Sequence, residues 1–349
     1  MLLEENKTLA PFTTFGIGGP ARWYAHVTTE AEVAEAVAWA QQQHQPLFVL
    51  GGGSNLLVSD AGFDGLVLHV ALRGIEARPE AESVVYQVAA GEDWDAFVER
   101  AVTENCAGIE CLAGIPGTVG GTPVQNVGAY GQEVASSIER VRAFDLRQQV
   151  FVEFSAEDCG FAYRHSRFNT ADRGRYIVTR VDYRLKPGGG PTLKYADLQR
   201  AFPEGSESTL VEVAATVRRI RQSKGMLLVA GDPDCRSAGS LFKNPIVNEE
   251  QLRRVAEKSG KEPPRFPAGS GHENTGRVKL PAAWLIEQAG FSKGYVRGNA
   301  AVSSRHTLAL INRGGATAAD ILALADEISN AVLIRFSIHL EMEPVMLGF

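Results

Sequence analysis

The sequence has little of what marks membrane or nucleic-acid-binding chains. Its longest apolar stretches fall well short of the about 20 residues that a membrane-spanning helix requires. Lysines and arginines are scattered without a cluster, and the formal net charge is −6, which removes the basic surface that nucleic-acid binding needs. We therefore expect neither a membrane nor a nucleic-acid partner, and any anionic ligand must be bound by a local group of residues.

The amino-terminal segment and the cysteines point away from a secreted or zinc-binding chain. The segment MLLEENKTLAPFTTFG contains neither the basic nor the apolar region of a signal peptide. The four cysteines have no CxxC spacing, which favours reduced thiols over a disulfide framework or a zinc site; they are Cys106, Cys111, Cys159 and Cys235. We expect a cytoplasmic protein with no metal site.

Hydrophobic periodicity predicts an α+β chain. At 349 residues the chain exceeds the length at which a single core usually stops growing, so two or three compact units are expected. Thr29, with Glu32 three residues later, has the pattern of a capping box at a helix start. Further helical spacing is found at 94–102, 210–220, 249–258, 281–289 and 317–334, and strand patterns at 46–50, 84–90, 141–145, 150–154 and 176–185.

Two glycine-rich loops are the most unusual feature. GGGSN follows a strand, but Leu56, Leu57 and Val58 continue as strand, whereas a Rossmann fingerprint must open a helix after its glycines. A longer glycine-rich stretch occupies residues 107–131. Two such backbone nests suit a pyrophosphate together with a flavin ring better than a single nucleoside phosphate. Close packing of backbone in a crowded core is the alternative.

The order of these loops resembles a known family. PLFVLGGGSN and GIPGTVGGTPVQNVGAYG, preceded by TFGIGGPA at 14–21, are similar to the FAD-binding half of the UDP-N-acetylenolpyruvoylglucosamine reductases. Three later motifs extend the resemblance nearly end to end: FAYRHSRF at 161–168, SAGSLFKNP at 237–245 and LEME at 340–343. Their order and spacing are more specific than any one of them.

The resemblance implies a vanillyl-alcohol-oxidase-like FAD-binding fold of two α/β subdomains plus a carboxy-terminal α+β substrate-binding domain. The implied ranges are 1–72, joined by 335–349, for the first subdomain, 73–225 for the second and 226–334 for the substrate domain. It also implies noncovalent FAD, NADPH as hydride donor, and a monomer that reduces UDP-N-acetylglucosamine enolpyruvate to UDP-N-acetylmuramate for peptidoglycan. The implied cofactor residues are Gly51, Gly52, Gly53, Ser54, Asn55, Pro116, Gly117, Thr118, Gly120, Gly121, Gln125, Asn126, Gly128, Tyr130 and Arg221.

Three residues are implied as catalytic, and their chemistry fits the reaction. Hydride addition to an enolpyruvyl group leaves negative charge at the carbon next to the carboxylate, and a preorganised cation is apt to stabilise it. The resemblance assigns this role to Arg164. It assigns proton donation to Ser240, and polarisation of the substrate carboxylate to Glu343 rather than Glu341.

The resemblance also implies the residues that bind the sugar nucleotide. Lys224 and Asn244 match a lysine and an asparagine on the diphosphate and sugar, and a lysine is suited to phosphate as a point charge. Tyr195 matches a tyrosine on a mobile loop of one subtype, with PGGGP at 187–191 as a hinge; packing at a strand edge is the alternative. The remaining candidates are Tyr163, beside Arg164, and His306, which stands where some members have a glutamine.

Several alternatives remain open at this stage. Arg221 matches an arginine that contacts the flavin, and the alternative is an ordinary solvated basic face on RRIRQSK. Pro344, in place of a common valine after LExE, is expected to disturb strand geometry near Glu343 because proline cannot donate to a ladder.

Two other functions compete with reduction of a sugar nucleotide. A flavin oxidase of the same superfamily is disfavoured because GGGSN has no histidine or cysteine for covalent flavin attachment. A non-catalytic flavin or nucleotide-sugar binder would be recommended only by loss of Arg164, Ser240 or Glu343, and all three are present.

Overall fold

The computed structural model describes residues 1–268 and 276–349. The chain divides into two compact units. Unit 1 contains Met1–Lys7, Ala21–Gly53 and Asp64–Gln222, and unit 2 contains Thr8–Pro20, Ser54–Phe63 and Ser223–Phe349. Each unit has its own cluster of buried apolar side chains. The finer division into three parts, with boundaries near residues 72, 225 and 334, stays a prediction.

Helices and strands occur in both units. The α-helices in the described ranges are α1 (Glu30–Gln42), α2 (Trp94–Thr103), α3 (Ala196–Ala201), α4 (Leu210–Ser223), α5 (Glu249–Ser259), α6 (Ala282–Gln288) and α7 (Ala318–Phe336). The strands are β1 (Leu3–Thr8), β2 (Pro20–Val27), β3 (Leu47–Leu50), β4 (Leu56–Val58), β5 (Phe63–Val70), β6 (Ile75–Pro79), β7 (Val84–Ala89), β8 (Cys106–Ala107), β9 (Gly128–Ala129), β10 (Gln132–Glu133), β11 (Ile138–Asp145), β12 (Val150–Ser155), β13 (Tyr176–Pro187), β14 (Ile246–Asn248), β15 (Phe266–Pro267), β16 (Arg277–Lys279), β17 (Val296–Arg297), β18 (Ala300–Val302), β19 (Leu310–Asn312) and β20 (Val345–Leu347). Short 3-10 helices are Ala10–Phe12, Glu110–Leu112, Val119–Gly121, Val134–Ser136, Arg167–Asn169 and Pro233–Cys235.

Unit 1 is built on two sheets. One has the order β1-β2-β5-β3, with β3 and β5 parallel; the other has the order β12-β11-β13-β7-β6, with β8 paired to β13. The core between helix α2 and the second sheet contains Trp94, Phe97 and Tyr183, whose ring centroids lie 5.1–5.9 Å apart. Such tilted and edge-to-face aromatic contacts add to the stabilisation from burying large rings.

Local capping signals set the helix starts that the sequence predicts. Thr29 caps α1 by accepting the Glu32 N–H at 3.2 Å. The Glu32 carboxylate, however, accepts from the N–H of Thr28 at 2.8 Å, so the reciprocal half of the box uses the residue before the cap. Thr317 and Asp320 form a complete capping box at the start of α7. Both caps satisfy N–H groups that have no partner within the helix.

Unit 2 combines three small sheets with helices α5, α6 and α7. The sheets are β14-β16-β15, β17-β18-β19 and the parallel pair β20-β4. Helix α7 buries a stripe that includes Ile321, Leu324 and Ile328. The Asp60 carboxylate accepts from the first N–H groups of α7, at 2.8 Å from Ala318 and 3.1 Å from Ala319. A carboxylate there also complements the positive end of the helix dipole.

In residues 1–268 and 276–349, no helix has the length and apolar character needed to cross a membrane.

Candidate active site

The two glycine loops meet in unit 1. A Cβ added to Gly52 would lie 2.6 Å from the Cα of Gly117, and one added to Gly51 would lie 2.8 Å from Oγ1 of Thr118. Real Cβ atoms are essentially never found this close to a backbone atom, so Gly52 allows the two loops to approach each other. Gly117 also has φ of 125°, a conformation that favours glycine.

The long loop has one packed glycine and one open glycine side by side. A Cβ on Gly120 would lie 2.7 Å from the Cβ of Ala90, whereas a Cβ on Gly121 would meet no atom within 4 Å. The close approach of Gly52 to the backbone of Gly117, and of Gly120 to Ala90, leaves no room for a side chain at either glycine. Gly121 leaves an open face on the loop, which is room that a bound dinucleotide could use. Pro116 and Thr118 lie in the same loop, half-buried.

Arg221 is buried against this loop. Its Nε donates to the carbonyl oxygen of Gly114 at 2.9 Å, and the residue is only 9% exposed. A solvated basic face is therefore the wrong interpretation of this arginine. Burial lowers the pKa of the Arg221 guanidinium, and the neighbouring Tyr130 and Asp95 oppose that change. A buried guanidinium beside a glycine loop suits an anionic ligand group.

Arg164 lies on a tight turn next to the second half of the loop. Its Nη1 donates to the carbonyl oxygen of Gly128 at 3.1 Å, and its guanidinium lies 5.7 Å from the ring of Tyr163. The backbone of Arg164 has φ of 53°, in the left-handed region. Asn126 ties this turn to the loop, because its Nδ2 donates to the carbonyl oxygen of Ala162 at 3.0 Å.

The side chain of Asn126 is fully engaged within the protein. Its Nδ2 also donates to the carboxylate of Glu133 at 2.9 Å, and its Oδ1 accepts from the N–H of Ala135 at 3.1 Å. Any contact of Asn126 with a cofactor would therefore come from its backbone. Gln125, beside it, is half-buried.

Tyr130 and Tyr195 are brought together in unit 1. Their ring centroids lie 5.4 Å apart at 86°, an edge-to-face contact. Tyr195 is 43% exposed and precedes helix α3, whereas Tyr130 is 9% exposed and has φ of 50°. Tyr195, predicted to bind the substrate, thus packs on Tyr130, predicted to bind the cofactor.

In unit 2, backbone hydrogen bonds of Leu241 connect the three segments that carry Ser240, His306 and Glu343. The N–H of Leu241 donates to the carbonyl oxygen of Leu308 at 2.8 Å, and its own carbonyl accepts from the N–H of Glu343 at 2.8 Å. Ser240 is adjacent to Leu241 in sequence. His306 is connected to Leu308 because its Nδ1 accepts from the N–H of Leu308. One residue thus fixes the backbones on which Ser240, Glu343 and the His306 turn are carried.

Pro344 does not disturb this arrangement, contrary to the expectation from the sequence. Glu343 bonds to Leu241, while the N–H of Val345 donates to the carbonyl oxygen of Asn55 at 3.0 Å, where strand β20 begins. Pro344 lies where the chain changes its partner, so neither hydrogen bond needs an N–H at that position.

Asn55 contributes to the same cluster from the GGGSN loop. Its Nδ2 donates to the carbonyl oxygen of Glu343 at 3.4 Å. The loop crosses the division between the units, since Gly53 ends a segment of unit 1 and Ser54 begins a segment of unit 2. The hydroxyl of Thr14 lies 3.5 Å from the carbonyl oxygen of Ser54. The same hydroxyl donates to the carbonyl oxygen of Ser237 at 2.6 Å.

Ser240 and Asn244 differ in how far the protein uses their side chains. Within residues 1–268 and 276–349, the half-buried hydroxyl of Ser240 has no hydrogen-bond partner. Asn244 Oδ1 accepts from the N–H of Ala282 at 2.9 Å, at the start of α6. That bond turns the amide so that its Nδ2 group is available as a donor.

His306 is held as a neutral imidazole. The N–H of Leu308 donates to its Nδ1 at 3.1 Å, so the ring proton is on Nε2. Burial, with the positive charges of Lys224 and Lys293, lowers the pKa of His306 from 6.5 to about 4. Lys224 itself directly follows helix α4.

Among the residues that the structure describes, no three His, Cys, Asp or Glu side chains come together as a metal site.

The chain is similar to known proteins in both sequence and fold. A family model described as "UDP-N-acetylenolpyruvoylglucosamine reductase, C-terminal domain" matches residues 232–347, and one described as "FAD binding domain" matches residues 21–148. The UDP-N-acetylenolpyruvoylglucosamine reductase of Streptomyces coelicolor (strain ATCC BAA-471 / A3(2) / M145) is 48% identical, over 99% of this chain and 90% of its own length. This chain belongs to the UDP-N-acetylenolpyruvoylglucosamine reductase family.

Two further matches agree with that assignment. The reductase of Thermobifida fusca (strain YX) is 45% identical over 99% of this chain and 98% of its own. The crystal structure of the reductase from Thermus caldophilus is similar with a TM-score of 0.67 and 27% identity, covering 99% of this chain and all of that one. The predicted family, α+β FAD-binding fold, oxidoreductase class and FAD cofactor are confirmed. The roles of individual site residues stay predictions.

Two carboxylates that support these loops are not among the residues predicted from the sequence. Asp95 accepts the N–H of Gly114 at 2.6 Å and pairs with Arg218 at 2.8 Å, and Glu110 is fully buried beside Gln132. The signal for Glu110 is an acid inside the otherwise apolar run GIECLAG. Buried acids are rare unless they are hydrogen-bonded, so this position called for an explanation.

Proposed function

We propose that this chain catalyses the NADPH-dependent, FAD-mediated reduction of UDP-N-acetylglucosamine enolpyruvate to UDP-N-acetylmuramate. The observation that carries the proposal is the Leu241 junction, whose backbone hydrogen bonds connect the segment of Ser240 to that of Glu343, in a chain of this family. The reaction would serve peptidoglycan synthesis, and through it cell shape and division. We also propose that the protein is cytoplasmic, because the cytoplasm is where NADPH and UDP-sugars are made. The proposal further includes a monomer.

The residues of unit 1 fit the cofactor and the substrate carboxylate. When bound, FAD would supply the hydride for the terminal carbon of the enolpyruvyl group, with NADPH as the source of that hydride. The open face at Gly121 and the buried Arg221 are the features that would hold this cofactor. Arg164 would pair with the substrate carboxylate, because a guanidinium matches a carboxylate with two parallel hydrogen bonds. Its guanidinium is already oriented by the Gly128 carbonyl.

The residues of unit 2 fit proton transfer. Reduction leaves negative charge on the carbon that carries the carboxylate, and this carbon must gain a proton. The hydroxyl of Ser240 is half-buried and has no partner in the described part of the chain, so its proton is available for donation. Glu343, fixed at the neighbouring backbone position, would polarise the substrate carboxylate.

The sugar nucleotide would be bound by donors of unit 2. Lys224 would contact the diphosphate as a point charge, and Asn244 would offer its Nδ2 group to the sugar. His306, with its proton on Nε2, is a neutral donor that fits where other members carry a glutamine amide. Tyr195 and Tyr163, both exposed in unit 1, would contact the same substrate.

The proposal is tested by the dependence of NADPH oxidation on the enolpyruvyl group. Purified protein is incubated with NADPH and either UDP-N-acetylglucosamine enolpyruvate or UDP-N-acetylglucosamine, without dioxygen. We expect one NADPH consumed for each UDP-N-acetylmuramate formed, and no consumption with the sugar nucleotide that lacks the enolpyruvyl group. A protein that oxidises a sugar or alcohol only when dioxygen is present, and leaves the enolpyruvyl ether intact, would instead be a flavin oxidase.

A further inference from the structure

Glu110 is a fully buried carboxylate that connects three separate segments of unit 1. Its Oε1 accepts from the Nε2 of Gln132 at 3.1 Å and from the backbone N–H of Thr192 at 2.8 Å. Its Oε2 accepts from the backbone N–H of Gly108 at 2.8 Å. Gln132 follows the Tyr130 turn, and Thr192 precedes Tyr195 by three residues.

The chemistry of this position requires a carboxylate. All three neighbours are donors, and an ionised carboxylate only accepts hydrogen bonds. A glutamine of the same shape would direct an NH2 group at one or two of these donors. The buried donors left without an acceptor would then carry the full cost of desolvation.

Thr192 is held on both sides of its backbone. Its N–H donates to Glu110, and its carbonyl accepts from the Sγ of Cys111 at 3.1 Å. Burial raises the pKa of the Cys111 thiol to about 12, so the group keeps its proton and remains a donor. The short helix Glu110–Leu112 therefore clamps Thr192 through two consecutive side chains.

The glycines before Thr192 are held as well. The N–H of Gly188 donates to the carbonyl oxygen of Asn105 at 2.8 Å, and a Cβ on Gly189 would lie 2.9 Å from the Cβ of Ala107. The segment PGGGP is thus attached at its start and clamped just after its end. A movement of Tyr195 that began in this segment would have to break the bonds of Thr192.

We infer that Glu110 is a positioning residue that fixes where the Tyr195 segment leaves the fold. Through Thr192 it sets the start of that segment, and through Gln132 it sets the turn that carries Tyr130, so that the two rings meet edge to face. Because Thr192 is held on both sides, a movement of Tyr195 would start after Thr192. The inference rests on the proposed function only for the substrate contact of Tyr195.

Trypsin cleavage after the exposed Lys194 tests the clamp without substrate or turnover. The FAD-loaded protein is compared with Glu110→Gln and with Cys111→Ala, and the cut is identified by mass spectrometry. Loss of a buried hydrogen bond typically raises local opening by about tenfold, so we expect cleavage after Lys194 to rise by about that factor in both variants. Glu99→Gln, which removes the same charge from an exposed position on α2, should cleave like the unmodified protein.

A kinetic measurement adds a second readout. In Glu110→Gln we expect KM for UDP-N-acetylglucosamine enolpyruvate to rise severalfold, while NADPH still reduces the flavin at close to the normal rate. Cys111→Ser keeps a donor toward Thr192 and should restore slow cleavage after Lys194. If Glu110→Gln does not fold, the inference is tested by the difference in cleavage after Lys194 between Cys111→Ala and Cys111→Ser.

Two results would overturn the inference. One is unchanged cleavage after Lys194 in the variants, and the other is a rise of cleavage at every trypsin site, which would indicate general loosening of unit 1. The cleavage result is independent of catalysis. Failure of the unmodified protein to reduce the enolpyruvyl group would therefore contradict the proposed function and leave this test intact.

Discussion

Arg164 and Tyr130 adopt left-handed backbone conformations, with φ of 53° and 50°. Such conformations cost an ordinary residue on the order of 1 kcal/mol, and they persist only where the surroundings fix them. At Arg164 the surrounding bonds are those to Gly128 and from Asn126 to Ala162. The role of the Arg164 side chain stays a prediction, and its backbone conformation offers a way to test it.

Replacement of Arg164 by alanine and by glycine separates the requirement for the guanidinium from the cost of the left-handed backbone conformation. Both variants lose the guanidinium, so we expect both to lose reductase activity by a factor on the order of a hundred or more. The glycine variant should be more stable than the alanine variant by about 1 kcal/mol, measured by urea unfolding, because only glycine is relaxed at this φ. The same pair at Tyr163, which lacks a positive φ, should show the opposite order. Equal stabilities at position 164 would show that the backbone carries no strain.

His306 gives a prediction about pH. Its pKa in the folded chain is about 4, against 6.5 without the surroundings, mainly because the ring is buried. The unfolded chain therefore binds the proton more tightly. The stability that the neutral ring contributes is complete above pH 6.5 and is lost as the pH falls toward 4.

Urea unfolding at pH 7 and pH 5 checks this prediction. Between these values the unmodified protein should lose about 2 kcal/mol more than a His306→Gln variant, because glutamine does not titrate. The variant should retain substrate binding, since its amide can also donate where Nε2–H does. Parallel losses in the two proteins would mean that His306 is not buried as a neutral group.

At the scale of loops and helices, the sequence predicted features with local causes. The cap at Thr29 was predicted correctly because the interacting groups lie within a few residues of each other. The continuation of GGGSN into strand β4 was read correctly for the same reason. Glu110 was missed because its partners Gln132 and Thr192 lie 22 and 82 residues away, and no local pattern reports such bonds.

The glycines of the long loop also depend on contacts with residues that are distant in sequence. Sequence alone treats Gly120 and Gly121 alike, but the first packs on Ala90 and the second faces open space. Whether a glycine is required by the protein or by a ligand depends on neighbours that are distant in sequence. Only the three-dimensional arrangement separates the two cases.

Valine substitutions in this loop test which glycine serves the cofactor. We expect Gly121→Val to lose bound FAD while the apo-protein unfolds at close to its normal temperature, since the side chain meets no protein atom. Gly120→Val should lower the unfolding temperature of the apo-protein as well, because of the contact with Ala90. Gly190→Val, also at an open position, is the matched control and should keep its flavin. Normal FAD content in Gly121→Val would place the cofactor elsewhere.

At the scale of the whole molecule, both units are assembled from distant parts of the chain. Residues 1–7 belong to unit 1 and residues 8–20 to unit 2, and strand β20 near the carboxy terminus pairs with β4. Patterns within single segments could not show this, because it depends on pairing between residues nearly 290 positions apart. The family resemblance supplied the joining of 335–349 to residues 1–72, and that domain division stays a prediction.

The most direct test of the proposed function is to watch its two half-reactions separately by anaerobic stopped flow. NADPH should remove the flavin absorbance of the unmodified protein, and UDP-N-acetylglucosamine enolpyruvate should then restore it. A Ser240→Ala variant should complete the first step at close to the normal rate and slow the second by a factor on the order of a hundred, the scale for losing a general acid. Ser240→Cys should recover part of that loss. Flavin absorbance that NADPH does not remove, or that the enolpyruvyl substrate does not restore, would contradict the account.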